Sequence, residues 1–196
     1  NDFSFLAADL VVTVVDPLRA GHELRFHPGE TNLRMADVVV ISKASRASEA
    51  ELAEVERNAA RLAPSAEVVR ADLEVTLDEP DAVRGRRVLV VEDGPTVTHG
   101  GMPTGAGYVA AERYGARTVV DPRPFAVGSI AEAYARHPHL GPILPALGYA
   151  ESQLVELAAT IERAEVDVVI DASPAALVST LGTTKKVVRA RYRFAQ

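Results

Sequence analysis

Arg87-Val88-Leu89-Val90-Val91-Glu92-Asp93-Gly94-Pro95-Thr96-Val97-Thr98-His99-Gly100-Gly101 is an apolar, β-branched run that passes directly into a dense polar segment. The first five residues read as a strand buried on both faces, the signature of a parallel sheet. Gly94 and Pro95 end it, and the segment 92–101 is expected to be a loop at the strand's carboxyl end. Ligands of open α/β sheets bind beyond the carboxyl ends of the strands. This one junction therefore bears on both fold and site.

The same pattern recurs on either side. Leu10 to Val15, Asp37 to Lys43, Ala66 to Leu73, Arg117 to Val120 and Val166 to Ile170 each read as short buried strands. Ser48 opens a helix, with Glu51 completing a capping box, Leu52, Val55, Ala59 and Leu62 on one face and Pro64 as its stop. Helices are also expected over 102–114, over 129–136 with Ser129 as cap, and over 151–164. Val187 to Phe194 alternates apolar and basic residues and reads as an exposed or edge strand. The 20-residue polar stretch from Pro17 to Ala36 is expected to be a long functional loop, and Pro145 to Tyr149 a tight connection.

Strands alternating with helices imply an α/β fold with a doubly wound, mostly parallel sheet. Residues 74–86 are polar, with Pro80 and Gly85, and a lobe boundary is placed there, giving lobes 1–80 and 81–196.

The chain has 196 residues, 47% hydrophobic and 24% charged, which is ordinary for a globular protein with a core. Its formal net charge of -6 argues against a general nucleic-acid or anionic-membrane binder. With no cysteine, disulfides and thiolate metal sites are excluded. No stretch approaches the ~18 apolar residues of a membrane span, and Asn1 to Leu6 is not a signal peptide. A cytoplasmic protein is expected. The start at Asn1 reads as a cut inside a longer protein, and self-association into a homo-oligomer is left open.

The segment 92–101 is the richest in chemistry. Glu92 and Asp93 suit acid/base work or, through water, Mg²⁺. Thr96 and Thr98 add hydroxyls, and His99 adds an imidazole, a side-chain type suited to proton exchange. An ordinary capped turn is the bland alternative. The stretch 16–34 offers Arg19, His22 and Arg34, and Arg123 sits between two prolines. Arginine suits bidentate contact with phosphate or carboxylate, so Arg19, His22, Arg34, Thr96, Thr98 and Arg123 are expected to hold a phosphorylated small molecule. A charged, solvated loop or a rigid turn would explain the same residues without a ligand. His137 and His139 flank Pro138 and read as structural or exposed. Tyr108, Tyr114 and Tyr134 read as core or rim residues. The chain contains no G-x-x-x-x-G-K-[ST] phosphate loop, no convincing G-x-G-x-x-G fingerprint and no G-x-S-x-G elbow.

Four long blocks carry a resemblance: Asp16 to Glu23, Pro28 to Asp37, Val90 to Met102 and Asp121 to Ile130, with Leu144 to Tyr149 beside them. They look like the blocks of cyclic 2,3-diphosphoglycerate synthetases and their GTPase-like relatives. The resemblance implies the later half of a P-loop NTPase-like lobe followed by a Rossmann-like α/β lobe. It implies an ATP-dependent, Mg²⁺-using enzyme that closes a phosphorylated small acid into a cyclic phosphoanhydride, with the phosphate loop upstream of Asn1. The first lobe also looks like the later half of the GTPases that insert nickel into urease and hydrogenase. There Asp2 would follow a D-x-x-G switch, and Ser42-Lys43-Ala44-Ser45 would occupy the N-K-x-D guanine-reading position. Both the Asn and the Asp are replaced, which suits ATP or a degraded site. From residue chemistry and inferred position, Asp16 and Lys43 are expected to face the nucleotide, Glu92, Asp93 and His99 to be catalytic, and Asp93 to hold the Mg²⁺. A metallochaperone-type GTPase and a non-catalytic phospho-ligand-binding module are the alternatives.

Overall fold

The computed structural model describes residues 7–195, which divide into two compact units. One unit runs up to Glu74 and takes in the chain again from Arg193, and the other spans Val75–Tyr192. The expected switch position at Asp2 lies outside the described residues.

The first unit is built on three parallel strands in sequence order: β1 (Val12–Val15), β2 (Val38–Ile41) and β3 (Glu67–Arg70). The stretch between β1 and β2 is not the long loop expected from its polarity. After a turn at Pro17–Arg19 it forms two short helices, α1 (His22–Arg25) and α2 (Gly29–Arg34). A single buried anchor, Leu33, ties α2 to the core, which polarity averaged over the stretch conceals. The amphipathic helix α3 (Glu49–Leu62) buries Leu52, Val55, Ala59 and Leu62, as its spacing required. The capping box also forms: the Glu51 amide donates to Ser48 Oγ and the Ser48 amide to Glu51 Oε2. Each fully buried Leu or Val of this face is worth about 1.5–3 kcal/mol. Alternate residues of β1 leave Val12 and Val14 half exposed, whereas parallel sheets normally bury both faces.

The run expected as one strand, 66–73, is two. Ala71 ends β3 by donating to Ile41 O and accepting from the Ala44 amide, and β4 (Asp72–Leu77) then enters a second sheet. That sheet has six strands: β4, β5 (Arg87–Asp93), β6 (Thr118–Val119), β7 (Leu144–Ala146), β8 (Val168–Ala172) and β9 (Lys186–Ala195). Their order is β4-β9-β8-β5-β6, and β7 also pairs with β5. All the pairings of β5 with β6, β7 and β8, and that of β8 with β9, are parallel. The doubly wound, mostly parallel α/β fold is thus present. Val88, Leu89, Val90 and Val91 at its centre are completely buried.

Three expectations change here. β9 is not an edge strand: it lies between β4 and β8, and its alternating Val188 and Ala190 are buried. Leu144–Ala146 is a strand rather than a turn, pairing with the second half of β5 while β6 pairs with the first. Pro145, which lacks an N–H, is tolerated because β7 lies at the margin of the sheet. The segment 92–101 is less of a loop than expected. β5 continues through Asp93, and residues Gly94–Thr98 form a short helix, α4.

Three further helices flank this sheet: α5 (Ala106–Arg113), α6 (Gly128–Arg136) and α7 (Glu151–Arg163). Ser129 does not cap α6. Its amide and hydroxyl both donate to Glu156 of α7, and the helix starts one residue earlier.

The entry into α4 depends on one hydrogen atom. A Cβ on Gly94 would stand 2.2 Å from Ala146 O, a backbone atom of β7. Gly94→Ala should therefore destabilise the fold by about 1–3 kcal/mol, the usual range for overpacking. Chemical denaturation checks this, and an unchanged midpoint would mean that β7 is free to move away.

Candidate functional site

From β5 the chain goes first to β6 and β7 on one side and then crosses to β8 and β9 on the other. The reversal falls between β5 and β8. Such a switch point opens a crevice at the carboxyl ends of the two strands, where α/β sheets bind ligands. The residues that line these ends are Glu92 and Asp93 on β5 and Asp171, Ala172 and Ser173 at β8.

Successive residues of β5 face opposite ways. Glu92 points toward α5. Its Oε1 accepts hydrogen bonds from the amides of Gly105 (3.2 Å) and Tyr108 (2.9 Å), at the start of that helix. This approach requires glycine. A Cβ on Gly105 would lie 2.4 Å from Glu92 Oε2, and one on Gly107 would lie 2.8 Å from both Ala172 Cβ and Val90 Cγ1. Glu92 is 2% exposed. Burial pushes its carboxyl up to about 7, against the pull of the Tyr108, Gly107 and Gly105 amides, and neighbouring Asp93 adds to the rise. It can therefore hold or release a proton near neutrality.

Asp93, half-buried on the opposite face, accepts from Thr96 Oγ1 at 2.7 Å. Thr98 Oγ1 bonds Gly94 O within α4 and stands 3.4 Å from Nδ1 of His99, which is exposed. Asp171 is completely buried. It accepts from the Ser173 amide (2.9 Å), the Ser173 hydroxyl and the Val178 amide (3.2 Å). Arg189 Nη1 lies 3.1 Å from Asp171 Oδ1. Tyr192 donates to Ala172 O at 3.0 Å. Its phenol is raised chiefly by burial and further by Glu92, with Arg189 opposing and Asp93 and Asp171 adding.

Other expected site residues lie elsewhere. In the first unit Asp16, Arg19 and Lys43 meet at the carboxyl ends of β1 and β2. Lys43 Nζ is 2.6 Å and Arg19 Nε 3.6 Å from Asp16 Oδ2, and Asp16 Oδ1 also accepts from the Leu18 amide. Lys43 adopts the left-handed region, φ 54°. Arg34 is paired with Glu30 and borders a cavity of about 290 Å³ lined by Arg25, Phe26, His27 and Thr31. The His22 ring lies against Phe26 in a tilted arrangement, centroids 4.8 Å apart. In the second unit Arg123 is held by Asp121 (3.0 Å) and Leu140 O and lies over the Tyr134 ring. Among the described residues no three His, Asp or Glu side chains gather as a metal site.

Arg189 and Tyr192 carry no signal in the sequence, where Val187 to Phe194 reads as an exposed or edge strand. Asp171 and Ser173 directly follow the run from Val166 to Ile170, and that strand-end position was the available signal for them. The spacing Gly105-x-Gly107, which falls short of a dinucleotide fingerprint, was the available signal for a close backbone approach.

Comparison with known proteins adds two findings. Residues 3–70 match the CobW/HypB/UreG nucleotide-binding domain family. Over 192 residues the chain is 50% identical to arginine synthetase ArcE of Thermococcus kodakarensis. That alignment covers 98% of this chain and 43% of the relative, so the chain spans less than half of that protein's length. No helix among the described residues is long and apolar enough to cross a membrane.

The buried carboxyl makes a test of pH dependence. A group protonated more readily folded than unfolded contributes its stability below the ordinary value of 4.5, and that contribution is lost as pH rises to about 7. The loss is on the order of 3 kcal/mol. Glu92→Gln keeps an acceptor oxygen for the α5 amides and cannot titrate. The wild-type melting temperature should fall from pH 5 to pH 8 more steeply than that of Glu92→Gln, and equal slopes would mean that Glu92 is ionised throughout.

Proposed function

We propose that this chain is part of a nucleotide-dependent synthetase whose small-molecule substrate or product is a basic amino acid of the arginine type. The carrying observation is the reach of the identity to an arginine synthetase. It runs over 192 residues, through both units, rather than stopping at the nucleotide-binding match over 3–70. The crevice between β5 and β8 is the site we assign to the amino acid. Its strand ends carry Glu92, Asp93 and Asp171 against Arg189, an acidic balance suited to a cationic ligand. Making a bond to nitrogen releases a proton, and a carboxyl poised near neutrality can take it. Glu92 fits that role, with Oε1 fixed by the α5 amides.

ATP is the nucleotide we infer, because Ser42-Lys43-Ala44-Ser45 lacks the Asn and Asp of a guanine-reading motif. The nucleotide would supply the activation energy of the reaction. Asp16 and Lys43, paired at the carboxyl ends of β1 and β2, are the residues of the first unit that we assign to it, and no phosphate loop occurs within these 196 residues. Mg²⁺ usually binds through one or two carboxylates and the phosphates themselves, and Asp93 offers such a carboxylate.

Cyclisation of a phosphorylated acid, the reading carried by the sequence blocks, is the competing proposal. It calls for arginines that can take a multiply anionic ligand, whereas Arg34 already holds Glu30 and Arg123 already holds Asp121.

Calorimetry on the full-length protein, with ATP or GTP present, separates the two. Arginine should bind and 2,3-diphosphoglycerate should not, with ATP preferred to GTP. Binding of 2,3-diphosphoglycerate alone would favour cyclisation, and GTP preference would favour a metallochaperone-type GTPase. Glu92→Gln should lower turnover by about 100-fold or more, the usual yield of acid–base catalysis, while leaving arginine affinity intact. Turnover equal to wild type would remove Glu92 from the mechanism.

A further inference from the structure

Arg189 is fixed in an unusual way for a residue on a strand that reads as exposed. Its Nη1 donates to the main-chain oxygen of Asp171 at 3.1 Å and lies at the same distance from Asp171 Oδ1. Both contacts leave from Nη1, so the described residues do not commit Nε or Nη2. The side chain retains 20% of its exposure, while Asp171 retains none. Asp78, whose carboxyl is lowered chiefly by Arg191 and slightly by Arg189, is already engaged by Nε and Nη2 of Arg191, at 2.6 and 2.9 Å.

The register says where this guanidinium stands. Asp171 pairs with Val91 across β8–β5 and with Arg189 across β8–β9. Val91, Asp171 and Arg189 thus share a level of the sheet, and Asp93 follows two residues beyond Val91 on the same face. Adjacent strands are about 4.8 Å apart, so Arg189 and Asp93 lie two strand spacings apart on either side of the switch point. A fork of free N–H groups on one side and a half-buried carboxylate on the other match the two ends of a zwitterion.

Resting on the synthetase reading above, we propose that Arg189 grips the α-carboxylate of the amino-acid ligand at the β5–β8 crevice, and that Asp171 and Ser173 are positioning residues that aim it. The Ser173 amide and hydroxyl and the Val178 amide hold the Asp171 carboxylate, so the guanidinium meets a partner that cannot swing. A carboxylate is the ligand group that a planar fork binds with two parallel hydrogen bonds.

The test compares arginine with agmatine, which is arginine without its carboxylate, on the full-length protein by calorimetry. Wild type should prefer arginine by at least about tenfold, as loss of a charge-assisted pair requires. Arg189→Lys keeps a cation beside Asp171 but loses the fork, and should bring the ratio to within about threefold without moving nucleotide affinity. Arg189→Gln serves the same purpose should the lysine variant fail to fold. If wild type binds arginine and agmatine equally, the carboxylate anchor is overturned while the synthetase reading stands. A variant that keeps the wild-type ratio, or that loses nucleotide affinity instead, also overturns it. If wild type binds neither compound, the synthetase reading falls and this inference with it.

Discussion

The second unit depends on one carboxylate seated against the start of a helix. Glu92 stands one residue before the end of β5, just past the completely buried Val88 to Val91, and accepts from amides at the start of α5. That contact fixes how close α5 can lie to β5 and β8. It demands glycine at 105 and 107, because a Cβ at 105 would meet the Glu92 carboxylate and one at 107 would meet Ala172 and Val90 of the sheet. The amides satisfy the carboxylate oxygen, and burial still dominates its ionisation. A packing requirement and a proton-handling group are therefore the same interaction.

Around this seat the two faces of the sheet carry different chemistry. Glu92 and Ala172 face α5, while Asp93, Asp171 and Arg189 share the opposite face. Burying Asp171 without partners would be costly, and four donors from Ser173, Val178 and Arg189 offset that. The outcome is a rigid set of polar groups at a topological switch point rather than a mobile loop. The first unit offers a simpler arrangement, an Asp16–Lys43 pair with Arg19 close by, at the ends of its own strands.

The parts legible in the sequence were those with strong local signals. Runs such as Val38 to Ile41 and Val88 to Val91 could only be buried strands, and the Ser48 capping box announced α3. Signals that depend on distant partners were not legible. Leu144-Pro145-Ala146 has the composition of a turn and becomes a strand because β5 offers it an open edge above β6. Lys186 to Ala195 carries four basic side chains, yet its Val188 and Ala190 are core, since long cations leave a strand's inner face free. Residues 17–36 look like solvated loop until Leu33 is seen to anchor them.

The sequence by itself determined the alternation of strands and helices, the α/β class and the concentration of reactive residues at 92–99. It did so because periodicity and capping are local properties of neighbouring residues. Tertiary structure alone decided which of those residues meet. It turned Glu92 into a buried, proton-holding group and Arg123 into a clamp on its own turn. It also brought Asp171, Arg189 and Tyr192 to the end of β5. Those outcomes follow from strand order and register, which set neighbours dozens of residues apart in the chain at a spacing of about 4.8 Å.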